Sequence, residues 1–235
     1  MTVVTPTPSI MPSILSLVQR VKRECGLPEP TSLVGTTDKT AIVALDALND
    51  CCVDIYSRKR WEWQESLYGV TLVAGTTQYA LPADFMRMAQ PPEAGGYPIT
   101  GLTEEEWNQV VPIQTTVSGS PQYYTVHGYI FEVWPAPSAD YIAQYPILPF
   151  VYYRQPPERL DGTDDAANIN LPPEFVPCLI AYGKFAVKAF LEYPDATGEI
   201  QLYEKLLSIR INAGRSMRKA PRLRQSGAVR SKIWS

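Results

Sequence analysis

Apolar residues recur at helical spacing in four places along this chain. From Ser9 or Pro12 to Cys25, residues Ile14, Leu17, Val18 and Val21 share one face, and Gly26 followed by Pro28 supplies the stop. The next segment, 36–60, has the clearest period: Ala41, Leu45, Leu48, Cys52 and Ile55 alternate intervals of four and three. Asp38 is placed to cap its start, and Arg58, Lys59 and Arg60 complement the helix dipole at its end. In "LPPEFVPCLIAYGKFAVKAFLEYPD", Pro172 and Pro173 suit a first turn, and Phe175, Leu179, Tyr182, Phe185, Ala186 and Ala189 form the expected apolar face before Pro194. Asp195 opens a fourth helix with Ile200, Tyr203, Leu206, Leu207 and Ile211 turned inward until about Gly214.

Between the second and third helices the period becomes that of strands. Aromatic and β-branched residues predict strands at 61–73 and 78–81, joined by a turn that contains Gly75. Tyr124 and Val126, then Tyr129, Phe131 and Val133, flank a predicted hairpin turn at His127-Gly128, and a further strand is read at 147–153. Thr103 and Glu106 stand at capping-box spacing, which predicts a short helix. The order predicts an α+β fold. Residues 1–60 and 170–214 form a helical bundle, 61–169 an inserted antiparallel β domain, and 215–235 an extended C-terminal tail.

Candidate chemistry is sparse. The four cysteines, Cys25, Cys51, Cys52 and Cys178, lack Cys-x-x-Cys spacing and read as reduced core residues. His127 is the single histidine, and no cluster offers metal-ligand spacing. Glu104, Glu105 and Glu106 fall in a first helical turn, where the dipole favours acids, and Asp164 and Asp165 lie in a polar loop. No nucleophile elbow, phosphate-binding loop or dinucleotide fingerprint occurs. The expected protein is not an enzyme and uses no metal or cofactor. With no basic leader and no run of about 18 apolar residues, neither secretion nor membrane spanning is expected, but a soluble protein made inside the cell.

Charge adds what the pattern does not. Nine of the 21 Lys and Arg follow Glu204, the last of the 24 acids, so the first 204 residues carry −12 and the last 31 carry +9. That end, closing in "SMRKAPRLRQSGAVRSKIWS", has three readings: a solvated terminus, a nucleic-acid-binding segment, or a strap that docks on another protein. Against nucleic acid stand the acidic body and the shortage of aromatic residues, Trp234 being the only one after Tyr203. For docking stand a reach of about 60 Å from Arg218 onward and a terminal apolar pair.

A resemblance favours docking. The segments "RKRWEWQE", "GVTLVAGTTQYALPADFMRM", "YTVHGYIFEVWPAP", "PFVYYRQPPE" and "INLPPEFVPCLIAYGKFAVKAFLEYPDA", in that order, resemble the head-to-tail adaptors of tailed bacteriophages, the tail tubular protein A or gatekeeper-type connectors. The resemblance implies a virion protein of the head-tail junction, made in the host cytoplasm. It implies a homo-oligomeric ring of about a dozen copies that meets the portal protein and a tail protein. Double-stranded DNA would pass through the channel without sequence-specific binding and without a membrane partner. The portal-facing residues expected on this basis are Arg210, Arg215, Arg218, Lys219, Arg222, Arg224, Arg230, Lys232, Ile233 and Trp234.

Overall fold

The computed structural model describes residues 11–111 and 117–217, with side chains through residue 213. In chain order, helices α1 (Ile14–Glu24) and α2 (Lys39–Arg58) come first. Strands β1 (Glu65–Thr71), β2 (Gln78–Ala80), β3 (Phe85–Gln90), β4 (Glu93–Ala94), β5 (Tyr97–Pro98) and β6 (Thr100–Gly101) follow. After α3 (Glu104–Val110) come β7 (Ser118–Gly119), β8 (Tyr123–His127), β9 (Ile130–Trp134) and β10 (Ala136–Pro137). The chain then forms α4 (Ala139–Gln144), β11 (Ile147–Arg154), α5 (Val176–Phe190) and α6 (Ala196–Met217). The fold is α+β, as the periodicity predicts.

Local signals account for the helix starts. The Asp38 carboxylate accepts hydrogen bonds from the backbone N–H groups of Thr40 and Ala41, and the side chains of Thr103 and Glu106 close a reciprocal capping box on α3. All five periodic residues of α2 are buried. The face of α5 differs from expectation. Phe175 and Leu179 are buried, but so are Cys178, Ile180, Ala181, Gly183 and Val187, whereas Ala189 is exposed. The reason is that α5 packs against α1, α2 and α6 together, so its buried surface is broader than one stripe. A methyl group on Gly183 would lie 2.7 Å from Val21 Cγ2, so α5 and α1 pack too closely here for any side chain.

Two antiparallel-rich sheets hold the rest. β1, β11 and β3 form one in that order, and β2, β9, β8 and β6 form the other, with β6 parallel to β8. β4–β5 and β7–β10 are separate two-stranded ribbons. The successive strands β1 and β2 therefore pair in different sheets, β1 with β11 and β2 with β9. Residues 62–64 form a 3-10 turn, so β1 starts later than the aromatic run at Trp61 suggests. The β8–β9 turn is Gly128-Tyr129, one residue beyond the expected pair, because His127 is still paired with Ile130. Gly128 has φ 60, the first-position glycine of a type II′ turn.

Two hydrophobic clusters result. One joins the four long helices and also takes Trp61, Ile169 and Leu171, with Trp63 and Leu160 packed against it. The other is built from Val70, Phe85, Phe131, Val133, Leu148, Phe150 and their neighbours in the sheets. Trp61 and Phe175 meet edge to face at 5.1 Å where the chain leaves the helices, and the Trp61 indole donates to the Ile55 carbonyl at 2.7 Å.

Candidate assembly interface

α6 carries the chain from the helices toward its cationic end, and three sets of contacts fix it. At its start, α5 ends at Phe190 and the backbone turns through Glu192, at φ 58. Lys188 Nζ donates to Asp195 Oδ2 at 2.6 Å and to Glu199 Oε1 at 2.8 Å, while Lys184 Nζ lies 3.1 Å from Glu199 and 3.4 Å from Glu24 of α1. Burial alone would raise the Glu199 carboxyl, but hydrogen bonds from Lys188 and Lys184 outweigh it and hold the group below its ordinary value.

In the middle of α6, the buried Tyr203 donates its hydroxyl to the Asp54 carboxylate of α2, and Leu207 is buried one turn later. Burial is the main reason that the Tyr203 phenol is pushed far above its usual range. Arg58 of α2 bridges Asp54 at 3.0 Å and Glu204 at 2.8 Å. Farther along, Lys59 Nζ donates to the Ile211 carbonyl at 3.1 Å. The opposite side of α6 leaves Leu202 and Ile209 exposed. Because Arg58 engages Glu204, the last acid is balanced locally, and every formal side-chain charge beyond it is positive.

Arg210 and Arg215 of the expected interface lie on α6. Arg210 is half-buried, and its charge opposes the burial that pushes the Cys178 thiol up to about 11. Arg218, Lys219, Arg222, Arg224, Arg230, Lys232, Ile233 and Trp234 lie outside the described residues. All four cysteines are free and buried. His127 ends β8, and no group of three or more His, Cys, Asp or Glu could hold a metal ion among the described residues. No helix among them is long and apolar enough to cross a membrane. A cavity of about 350 Å³ beside the end of β11 is lined by Asp84, Arg154, Gln155 and Glu158 among others, and it contains neither cysteine nor histidine.

One surface was not foreseen from the sequence. The outer face of the β1–β11–β3 sheet is apolar and open: Leu67 is 74% exposed and Ile147 55%, with Pro149 and Val151 between them on β11. Its signal was the alternation in "ESLYGVT", which places Tyr68 and Val70 toward the core and Leu67 away from it.

Open apolar sheet, braced helix and cationic end are features of an assembly protein, one that meets its partners across surfaces. The family model of the SU10 adaptor protein matches residues 12–229, and the chain belongs to that family of phage adaptors. It is therefore a phage structural protein and a virion component, and the family implies contact with portal and tail proteins. None of the curated proteins matches the chain.

Proposed function

We propose that the chain is a head-to-tail adaptor that forms a ring of about a dozen copies beneath the phage portal. The ring joins the capsid vertex to the tail and continues the DNA channel. Three working units divide the labour: the helical bundle of residues 1–60 and 170–214, the β-rich insertion of 61–169, and the docking segment of 215–235. The observation that carries this reading is the family match, which runs through α6 and well into the cationic end.

The mechanism follows from charge and anchoring. Braced against α2, α6 carries Arg210 and leads into the cationic segment that would meet the portal. Guanidinium groups pair two-pronged with carboxylates on the portal, while Ile233 and Trp234 supply the apolar anchor. Ordering the segment costs conformational entropy, so these contacts must exceed that loss. The acidic remainder of the chain repels phosphate, which suits a conduit through which DNA passes without sticking.

A truncated chain of residues 1–214 tests the reading. It should retain the circular dichroism and melting temperature of the full chain yet fail to join purified portal rings. Equal portal binding by the two proteins overturns the docking assignment. In a parallel titration with double-stranded DNA, the full chain should bind weakly even at low salt; tight binding that falls steeply with added salt would point instead to a nucleic-acid-binding virion protein.

A further inference from the structure

The two edges of the β1–β11–β3 sheet are built differently. β3 carries Arg87, its pairing with β11 shifts register twice, and Pro91 and Pro92 follow it. Charge, bulges and prolines are the devices by which proteins discourage strand addition at an edge. β1 has neither bulge nor proline. Its seven residues pair with β11 in unbroken register, and it contains no Pro, Lys or Arg. Its single charge, Glu65, is engaged by the Tyr153 hydroxyl at 3.0 Å. Alternate residues of an edge strand direct their N–H and C=O groups away from the sheet, and no described strand lies along that side of β1. Across the outer face of the sheet, Leu67 of β1, Pro149 and Val151 of β11 and Gln90 and Pro91 at the end of β3 line a groove of about 230 Å³.

An edge of this kind takes an uncharged, β-prone strand. Outside the described residues, the longest run of β-branched residues is 2–5, Thr-Val-Val-Thr, and it is uncharged. Pro6 and Pro8 bound the run, so the added strand would be short. It precedes the family-matched residues, which begin at 12, and is separate from the shared body. From Thr5 to Met11 the chain can span about 20 Å, enough to cross a subunit boundary. The cationic residues after 217 do not match an edge whose one charge is already engaged.

We propose that residues 2–5 of one copy add as a strand to the free edge of β1 in the next copy. This inference rests on the ring reading above. Donor and acceptor are different surfaces, so each copy gives to one neighbour and receives from the other, a contact that closes into a ring rather than a pair. Main-chain hydrogen bonds supply the attachment, and consecutive valines place one side chain beside Leu67 on the outer face and one on the core side.

Hydrogen exchange of residues 65–71, measured on the assembled full chain, tests it. The outward amides should exchange about tenfold or more slowly than in a variant lacking residues 2–5 and in the Val3→Lys/Val4→Lys double variant. The surface variant Leu67→Lys should reduce the protection without unfolding the subunit, and dilution to monomers should abolish it in the unaltered chain. Equal exchange in all proteins overturns the proposal, as does protection that survives dilution, which would place the strand in its own copy. Electron microscopy of the same samples separates the two ideas. Rings with an unprotected β1 sink strand addition alone, whereas absence of rings from the unaltered chain sinks the ring reading itself.

Discussion

Asn49 of α2 and Leu160 of the returning loop exchange two hydrogen bonds: Asn49 Nδ2 donates to the Leu160 carbonyl at 2.9 Å, and the Leu160 N–H donates to Asn49 Oδ1 at 3.0 Å. Asn49 is buried, so its amide replaces solvent for a backbone segment that has just left the sheets. Asn49→Leu should cost about 1–3 kcal/mol, because the N–H and carbonyl of Leu160 lose their partners. Chemical denaturation of the variant checks this, and a loss under about 0.5 kcal/mol would show that water replaces the amide.

Asp38 has two tasks, capping α2 and neutralising Lys22, whose side chain is 1% exposed. The hydrogen bond from Lys22, with those from Thr40 and the backbone, holds the Asp38 carboxyl down at about 2 against an ordinary 3.8. A depressed folded-state value means that the contribution to stability is present above about pH 4 and disappears as pH falls through about 2. Asp38→Ala should cost about 1–3 kcal/mol at neutral pH, since it removes the α2 cap and the counter-charge of Lys22 at a site that solvent partly reaches. Lys22→Met should cost less, and its acid-unfolding limb should be shallower. Equal losses in the two variants would contradict this division.

Gly183→Ala should be unfavourable even though alanine is the better helix former. The added methyl would meet Val21 at 2.7 Å, so α1 or α5 must shift, at a cost of about 1–3 kcal/mol. The double variant Gly183→Ala/Val21→Ala should recover part of the loss. A thermal-melt cycle over the four proteins measures the coupling.

Glu199→Gln leaves the ammonium groups of Lys184 and Lys188 with fewer counter-charges at the α5–α6 corner. A loss of about 1.5–3 kcal/mol is expected at pH 7. Because the Glu199 carboxyl is held below its ordinary value, the difference from the unaltered chain should shrink as pH falls through the carboxylate range. Melting temperatures at pH 7 and at pH 4 decide it.

Much of the fold is legible because the helix signals are local. The period of α2, its Asp38 cap and the Thr103–Glu106 box each depend on residues within a turn or two of one another. The inward residues of α6 are likewise readable, with Tyr203 and Leu207 fully buried, although the helix runs past Gly214 to Met217. The face of α5 is less legible, since three neighbouring helices decide which of its residues are covered. Pairing of β1 with β11 joins residues that are about 80 positions apart, and no short-range pattern encodes it. The open edge follows from that pairing: "ESLYGVT" reads the same whether its strand lies inside a sheet or at its margin. Of the candidate docking residues, the charge run is a fact of sequence, and Arg210 alone has a described side-chain environment.

Glu204 divides the chain into an anionic part and a cationic part, and α6 spans the division. Such a polyampholyte attracts its own kind at low ionic strength, unlike ends together, before any portal is present. Added salt loosens that attraction because the screening length contracts to about 10 Å at 0.1 M. The colloidal behaviour of the free subunit is thus set by where its acids stop.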